Sequence, residues 1–408
     1  MKTARVPPSN VRRFEPRDVP AAAELLAARD RRDRGRFPIL PAGFESADAC
    51  AGVLSSATEH AEDVVAEHGG QMTGFLFGVD VLVSPSSGSA RYAPQHGATA
   101  FAHGHAVAHG EDPFEVCEAL YSTLDDRWVG QGLFGHTVHV PAGNPGETAW
   151  LDLGFGREAG VAARDLRPVD RAPASGVEVR CSTPEDLKAV MPLEDVEPRH
   201  HAGPPIWRPY VQFDTVADRR AAAERVLAGE DPQYFVAIVE REPAGLILVG
   251  EGRGSPLFVP DGAAYIGETA VIEERRSAGV GIALVDRALD WARDHDYRHA
   301  TRHYATATRR PPASGRDWAS NRSFSTCAAT STDGSPGRGP RHNPWPAMLR
   351  HRLGGHGGSE PWSADLRVRS PSSPAPPAAS DALRRTASPP RAPAWYSSIS
   401  RTRRWRRA

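Results

Sequence analysis

The sequence has few cysteines. Its 408 residues hold four, Cys50, Cys117, Cys181 and Cys327, far apart and with no C-x-x-C pair. That excludes a disulfide framework and a zinc ribbon, and reduced thiols in a cytoplasmic protein are expected. Long apolar runs are missing too. No stretch approaches the roughly 18 apolar residues that span a bilayer. The opening MKTARVPPSN lacks the apolar segment of a secretory leader. Mean hydropathy is -0.45, with 40% hydrophobic and 24% charged residues, a soluble composition. Net charge is nearly absent at -1, yet the halves differ. Residues 301–408 carry 19 arginines, no lysine and 5 acids, so the first 300 residues carry an excess of 15 acids. The same C-terminal stretch has only six Leu, Ile or Val against 14 prolines, too little apolar surface to offset its ordering entropy. It is expected to be a disordered basic Pro/Arg/Ser-rich tail.

The first 300 residues contain two similar stretches. Val11 to Phe14 reads as a short strand, followed by Glu15-Pro16-Arg17-Asp18 and an amphipathic helix. Val177 to Arg180 reads the same way, followed by Thr183-Pro184-Glu185-Asp186 and another helix. A cap residue, Pro at the first turn and acids beside it start a helix. The P-x-D element recurs 168 residues later. Later in each stretch, Phe114–Trp128 and Val280–Trp291 both show apolar residues at helical spacing and end in Trp. Tyr234–Val239 and Ala244–Val249 read as a hairpin, and Ala264–Val271 as a third strand. The pattern predicts an α/β (α+β) protein. Its units cover 1–170 and 177–300, joined by a linker at 171–176 and followed by the tail at 301–408.

The segment that carries chemistry is Val271-Ile272-Glu273-Glu274-Arg275-Arg276-Ser277-Ala278-Gly279-Val280-Gly281. A strand ends, the backbone turns through small residues, and a helix begins with its free N–H groups facing an anion. Gly279 and Gly281 permit close backbone approach, and Arg276 adds a positive charge. No GxGxxG with a following ribose acid is present, which argues against a Rossmann site.

These residues resemble the GCN5-related N-acetyltransferase (GNAT) superfamily, whose acyl-CoA signature is [Q/R]-x-x-G-x-[G/A] between a central strand and a helix. Arg276, Gly279 and Gly281 stand at its defining positions. In the first unit, Asn144 followed by Ala149-Trp150-Leu151-Asp152-Leu153-Gly154-Phe155 resembles the family's closing segment. Trp150 stands there where many members have a tyrosine general acid, and no RxxGxG/A occurs in that unit. The resemblance implies two tandem acyl-CoA N-acyltransferase-like units, each a mixed, mostly antiparallel sheet flanked by helices, the first degenerate. It implies acetyl-CoA as cosubstrate and acetyl transfer to the amine of a small-molecule acceptor. Ser277, Ala278, Gly279, Val280 and Gly281 would hold the pyrophosphate, and Thr269, Ala270 and Val271 the pantetheine. Glu268, three residues before Val271, is the candidate general base, and no general acid is evident.

Other features read as structural. His200 and His201 in PRHHAGPPIW have no carboxylate at ligand spacing and are expected to be an exposed loop pair rather than metal ligands. His103, His105 and His109 are expected to be structural or at the surface, and Trp207 and Tyr210 to be core. Two further functional classes remain open. One is a noncatalytic pseudo-acetyltransferase that binds a ligand or partner. The other is nucleic-acid binding through RTRRWRRA, for which a nonselective basic tail is the expected outcome.

The tail has a second reading. Arg, Pro, Ser, Ala and Gly are the residues of G+C-rich codons read in any frame. Back-translating 302–334 with G+C-leaning codons and reading from each third base gives a string containing FWTGLGLEPVVLDLRR. That string parallels AWLDLGFGREAGVAARDLR of the first unit. A frame slip near 300–304 would leave the second unit without its closing strands.

Overall fold

The computed structural model describes residues 10–57, 62–83, 94–168, 174–206, 216–229, 232–252, 254–307, 322–330 and 366–367. The first unit begins with β1 (Asn10–Arg13), the helices α1 (Val19–Arg36) and α2 (Ala47–Ala57), then β2 (Glu62–His68), β3 (Gln71–Val83), β4 (His96–Ala100) and β5 (His105–Val107). It continues through α3 (Pro113–Gly130), β6 (Gly135–Pro141), α4 (Pro145–Asp152) and β7 (Gly156–Asp165). The second runs β8 (Val177–Cys181), α5 (Leu187–Glu194), α6 (Val196–Ala202), α7 (Val216–Leu227), β9 (Gln233–Val239), β10 (Glu242–Glu251), β11 (Ala263–Val271), α8 (Val280–Asp294) and β12 (His299–Ala305). A further strand, β13, spans Arg322–Thr330.

The two units repeat one plan. The strand order β1-β2-β3-β4-β6 is matched by β8-β9-β10-β11-β12. Each run is antiparallel until its last step, which is parallel and bridged by one helix, α3 or α8. The entry into the first helix is duplicated atom for atom. Arg12 grips Asp18 through two hydrogen bonds of 2.7 and 2.8 Å, and Arg180 grips Asp186 through two of the same lengths. In both units the aspartate also accepts the N–H three residues before it, from Glu15 or Thr183, at 2.8 Å. The arginine is required because only a planar fork can hold the carboxylate while it closes the turn. Hydrogen bonding to Arg180 pulls the Asp186 carboxyl down to about 2. The recurrence of P-x-D after 168 residues is therefore one structural module used twice.

Strand β7 belongs to both halves. Its residues 159–165 pair antiparallel with β12, while residues 156–162 pair with β13 on the opposite edge. β13 in turn pairs antiparallel with β6, so that one continuous sheet runs from β1 to β8. Ala162 on β7 and Ala300 on β12 lie in the core beneath α8, with Val280, Leu284, Val285, Ala288, Leu289 and Ala292 from the helix. That spacing is the apolar stripe read from the sequence.

The second unit does not end at 300. β12 stays in register with β7 to Ala305, and β13 lies within the stretch expected to be a tail. Most of 301–408, and with it RTRRWRRA, lies outside the described residues, as do Trp207 and Tyr210. No described helix is long and apolar enough to cross a membrane.

Candidate active site

Two features of β11 define the site. The first is a bulge. Ile247 pairs with Thr269 and Val249 with Ile266, so β11 carries one more residue than β10 across this interval, at Gly267–Glu268. The Thr269 hydroxyl donates to the Gly267 carbonyl at 3.3 Å and fixes that bend. Bulges re-aim side chains and free backbone groups from the ladder, and half-buried Glu268 sits here. The second is a splay. β11 and β12 pair only at Ala263–His299, Ala264–Ala300 and Tyr265–Thr301. Beyond that rung the strands part, and among the described residues no strand lies beside the β12-facing edge of β11 from 266 to 271. On its other edge, Gly245 lets β10 close in, since a Cβ there would come 2.5 Å from the Ala270 carbonyl oxygen.

Immediately after the splayed edge comes the turn into α8. Ser277 and Gly279 have φ of 66 and 82°. Gly279 is the N-cap, and no side chain caps the helix. The first intrahelical bond runs from the Ala283 N–H to the Gly279 carbonyl at 3.0 Å. The N–H groups of Val280, Gly281 and Ile282 ahead of it therefore have no helical acceptor, which makes them anion donors at the positive end of the dipole. Arg276 is exposed and folds back so that its Nε donates to the Val271 carbonyl at 3.4 Å. Val280 anchors the helix start in the core. A Cβ on Gly281 would meet only Val271 Cγ2 at 3.7 Å, so alanine fits there. The structure thus brings Glu268, Thr269, Ala270, Val271 and the 276–281 turn onto one continuous path of strand edge and helix start.

The first unit has the same path, closed by its own residues. The helix start of α3 is already capped, because Asp112 Oδ1 accepts the Phe114 N–H at 2.9 Å. The gap after the β4–β6 pairing is stapled by His105, whose ring donates to the His139 carbonyl at 2.9 Å. Arg29 reaches in from α1 and donates to the carbonyls of Ala102 and His105. Trp150 is buried against His105, Tyr121 and Phe155, and has no reach to a reacting atom. His103 and His105 are structural, as expected, and His109 is exposed.

Burial keeps these histidines neutral. The pKa is driven down to about 4 for His103, about 3 for His105 and about 4 for His139. The unfolded chain takes up protons near the ordinary value of 6.5, so stability is full above that pH and is lost as pH falls through 6.5 toward 4. Asp30, pushed up to about 6 by burial, offsets part of this. The thermal midpoint should therefore fall between pH 6.5 and 4.5, more steeply than in a His105→Gln variant. Scanning calorimetry across that range checks it, and equal slopes would remove the assignment.

The histidine pair expected in a loop is in fact on α6, and a carboxylate does sit at helical spacing. Glu197 is one turn before His201, at 3.6 Å. No group of three metal ligands occurs among the described residues. The sequence reading also missed Arg302 and His303, because it ended the unit at 300. Its signal was available in HATRHYA, a strand pattern that follows α8.

A profile of the acetyltransferase (GNAT) family matches residues 200–311. A GCN5-related N-acetyltransferase from Sphaerobacter thermophilus is 15% identical, over 79% of this chain and 96% of its own, with a TM-score of 0.49. A tandem GNAT protein from the clavulanic acid biosynthesis pathway is 17% identical, over 80% of this chain and 100% of its own, with a TM-score of 0.42. No curated protein matches the chain.

Proposed function

We propose that the second unit transfers an acetyl group from acetyl-CoA to the amine of a small, cytoplasmic acceptor, and that the first unit binds no CoA. The observation that carries this reading is the uncapped α8 start lying directly beyond the splayed edge of β11, against a capped start and a stapled gap in the first unit. Backbone N–H groups of 277–281 would hold the pyrophosphate with Arg276, and the edge of Thr269, Ala270 and Val271 would hold the pantetheine arm. Glu268 would take the proton from the ammonium, directly or through water. The amine nitrogen then bonds to the acyl carbon, the C–S bond breaks, and the thiolate takes a proton from solvent.

Calorimetric titration of acetyl-CoA into the full chain tests the reading, and a folded chain that binds none overturns it. In turnover assays, Glu268→Gln is expected to lower kcat/KM on the order of a hundredfold and to remove the acid limb of the pH profile. An unchanged limb would move the base elsewhere.

The same reading applies to the chain after β12. Strand register continues to Ala305 and the family match runs to 311, which supports a frame slip beyond the strand over one at 300–304. The written residues of β13 span the codons whose alternative frame reads VVLDLRRH. The coding DNA decides this directly.

A further inference from the structure

We propose that Arg302 receives a carboxylate carried by the substrate in the β11–β12 splay, so that this unit acts on a molecule with an acidic group close to the reacting centre. The inference rests on the acyl-transfer reading above and names the chemistry of its substrate.

The argument begins with position. Thr301 makes the last rung with Tyr265, and Arg302 is the next residue, the first on β12 where the strands part. Its backbone cannot shift, because on the other side it is paired with Ala162 of β7. Its side chain is only partly accessible and is surrounded by protein, which pulls its pKa down, while Glu197 and Tyr265 act on it electrostatically. Tyr265 packs edge-on against His303 at 5.5 Å, which sets the wall of the opening. Glu197 lies on α6 and is engaged by His201.

Among the described residues the Arg302 guanidinium makes no hydrogen bond and no ion pair. Arginines this enclosed are normally paired, since a half-desolvated cation with unused donors is costly. Its five N–H groups form a planar fork matched to a carboxylate. Glu197 acts on the guanidinium only at a distance, with no ion pair between the two within 4.0 Å, so it does not fill the fork. An incoming carboxylate would.

Two sources fit, an amine acceptor bearing a carboxylate or a dicarboxylic acyl group on CoA. Calorimetry on the full chain separates them without requiring turnover. In one arm succinyl-CoA is compared with acetyl-CoA. In the other, the chain saturated with CoA is titrated with N-acetylglycine, N-acetylphenylalanine and N-acetylglutamate, each against its neutral amide. One arm is expected to favour the carboxylate by at least about tenfold, the strength of a charged bidentate contact. Arg302→Met should erase the preference and Arg302→Lys keep part of it. Should Arg302→Met not fold, the native comparison and the lysine variant still decide. Acetyl-CoA binding with no carboxylate preference in either arm, or a preference that survives Arg302→Met, overturns the role of Arg302 alone. Absence of acetyl-CoA binding removes both readings.

Discussion

Acetyl-CoA binding is expected to fall at least about a hundredfold in the Arg276→Glu, Gly279→Asp double variant, because both changes act on one electrostatic device. The α8 start offers three N–H groups and no side-chain cap. An aspartate at the N-cap position is the residue that satisfies such a start internally, as Asp112 does for α3. Gly279 also holds φ at 82°, and a Cβ there would come 2.9 Å from Ala174 Cβ, so the turn itself would be strained. Reversing the charge at 276 places a second carboxylate beside the phosphates. Calorimetry reads the loss and a thermal melt confirms the fold. Binding retained within threefold would detach the nucleotide from this turn.

Restoring the alternative frame beyond Ala305 is expected to raise the thermal midpoint by about 10 °C. β13 sits in the middle of the continuous sheet, between β6 and β7. A strand paired on both edges gains most from large aliphatics on a face that meets the core. The written strand is RSFSTCAAT, whereas the alternative begins VVL. Each large aliphatic buried contributes roughly 1.5–3 kcal/mol, and at this size each kcal/mol moves the midpoint by about 2–4 °C. Melting the two proteins side by side gives the answer, and equal midpoints would mean that the written strand closes the sheet as well as the alternative.

Local chemistry was the most legible part of the sequence. The hairpin β9–β10, the strand β11 and the stripe on α8 followed from alternation and helical spacing alone, because each is buried on a periodic face. The anion turn followed from Gly279 and its neighbours. The β11–β12 splay and the Gly267–Glu268 bulge could not be read, since a strand's partner and its register depend on residues far away in the chain. Arg302 was missed for the same reason. Nothing in HATRHYA states that pairing with β11 stops at Thr301, and only that stop turns an arginine on a strand into one facing an opening. The staple of the first unit was half visible. The absence of RxxGxG/A from the first unit was legible, but the His105–His139 closure needed the fold.

Strand β7 has a consequence for how such a chain can change over time. A first unit that binds nothing would ordinarily be free to erode or be lost by deletion. Here it lends the strand against which β12, and with it Arg302, is aligned, so excising it would leave the second unit with a raw edge beside the β11–β12 splay. The repeated plan therefore carries a dependency, in which the first unit serves as scaffold for the second.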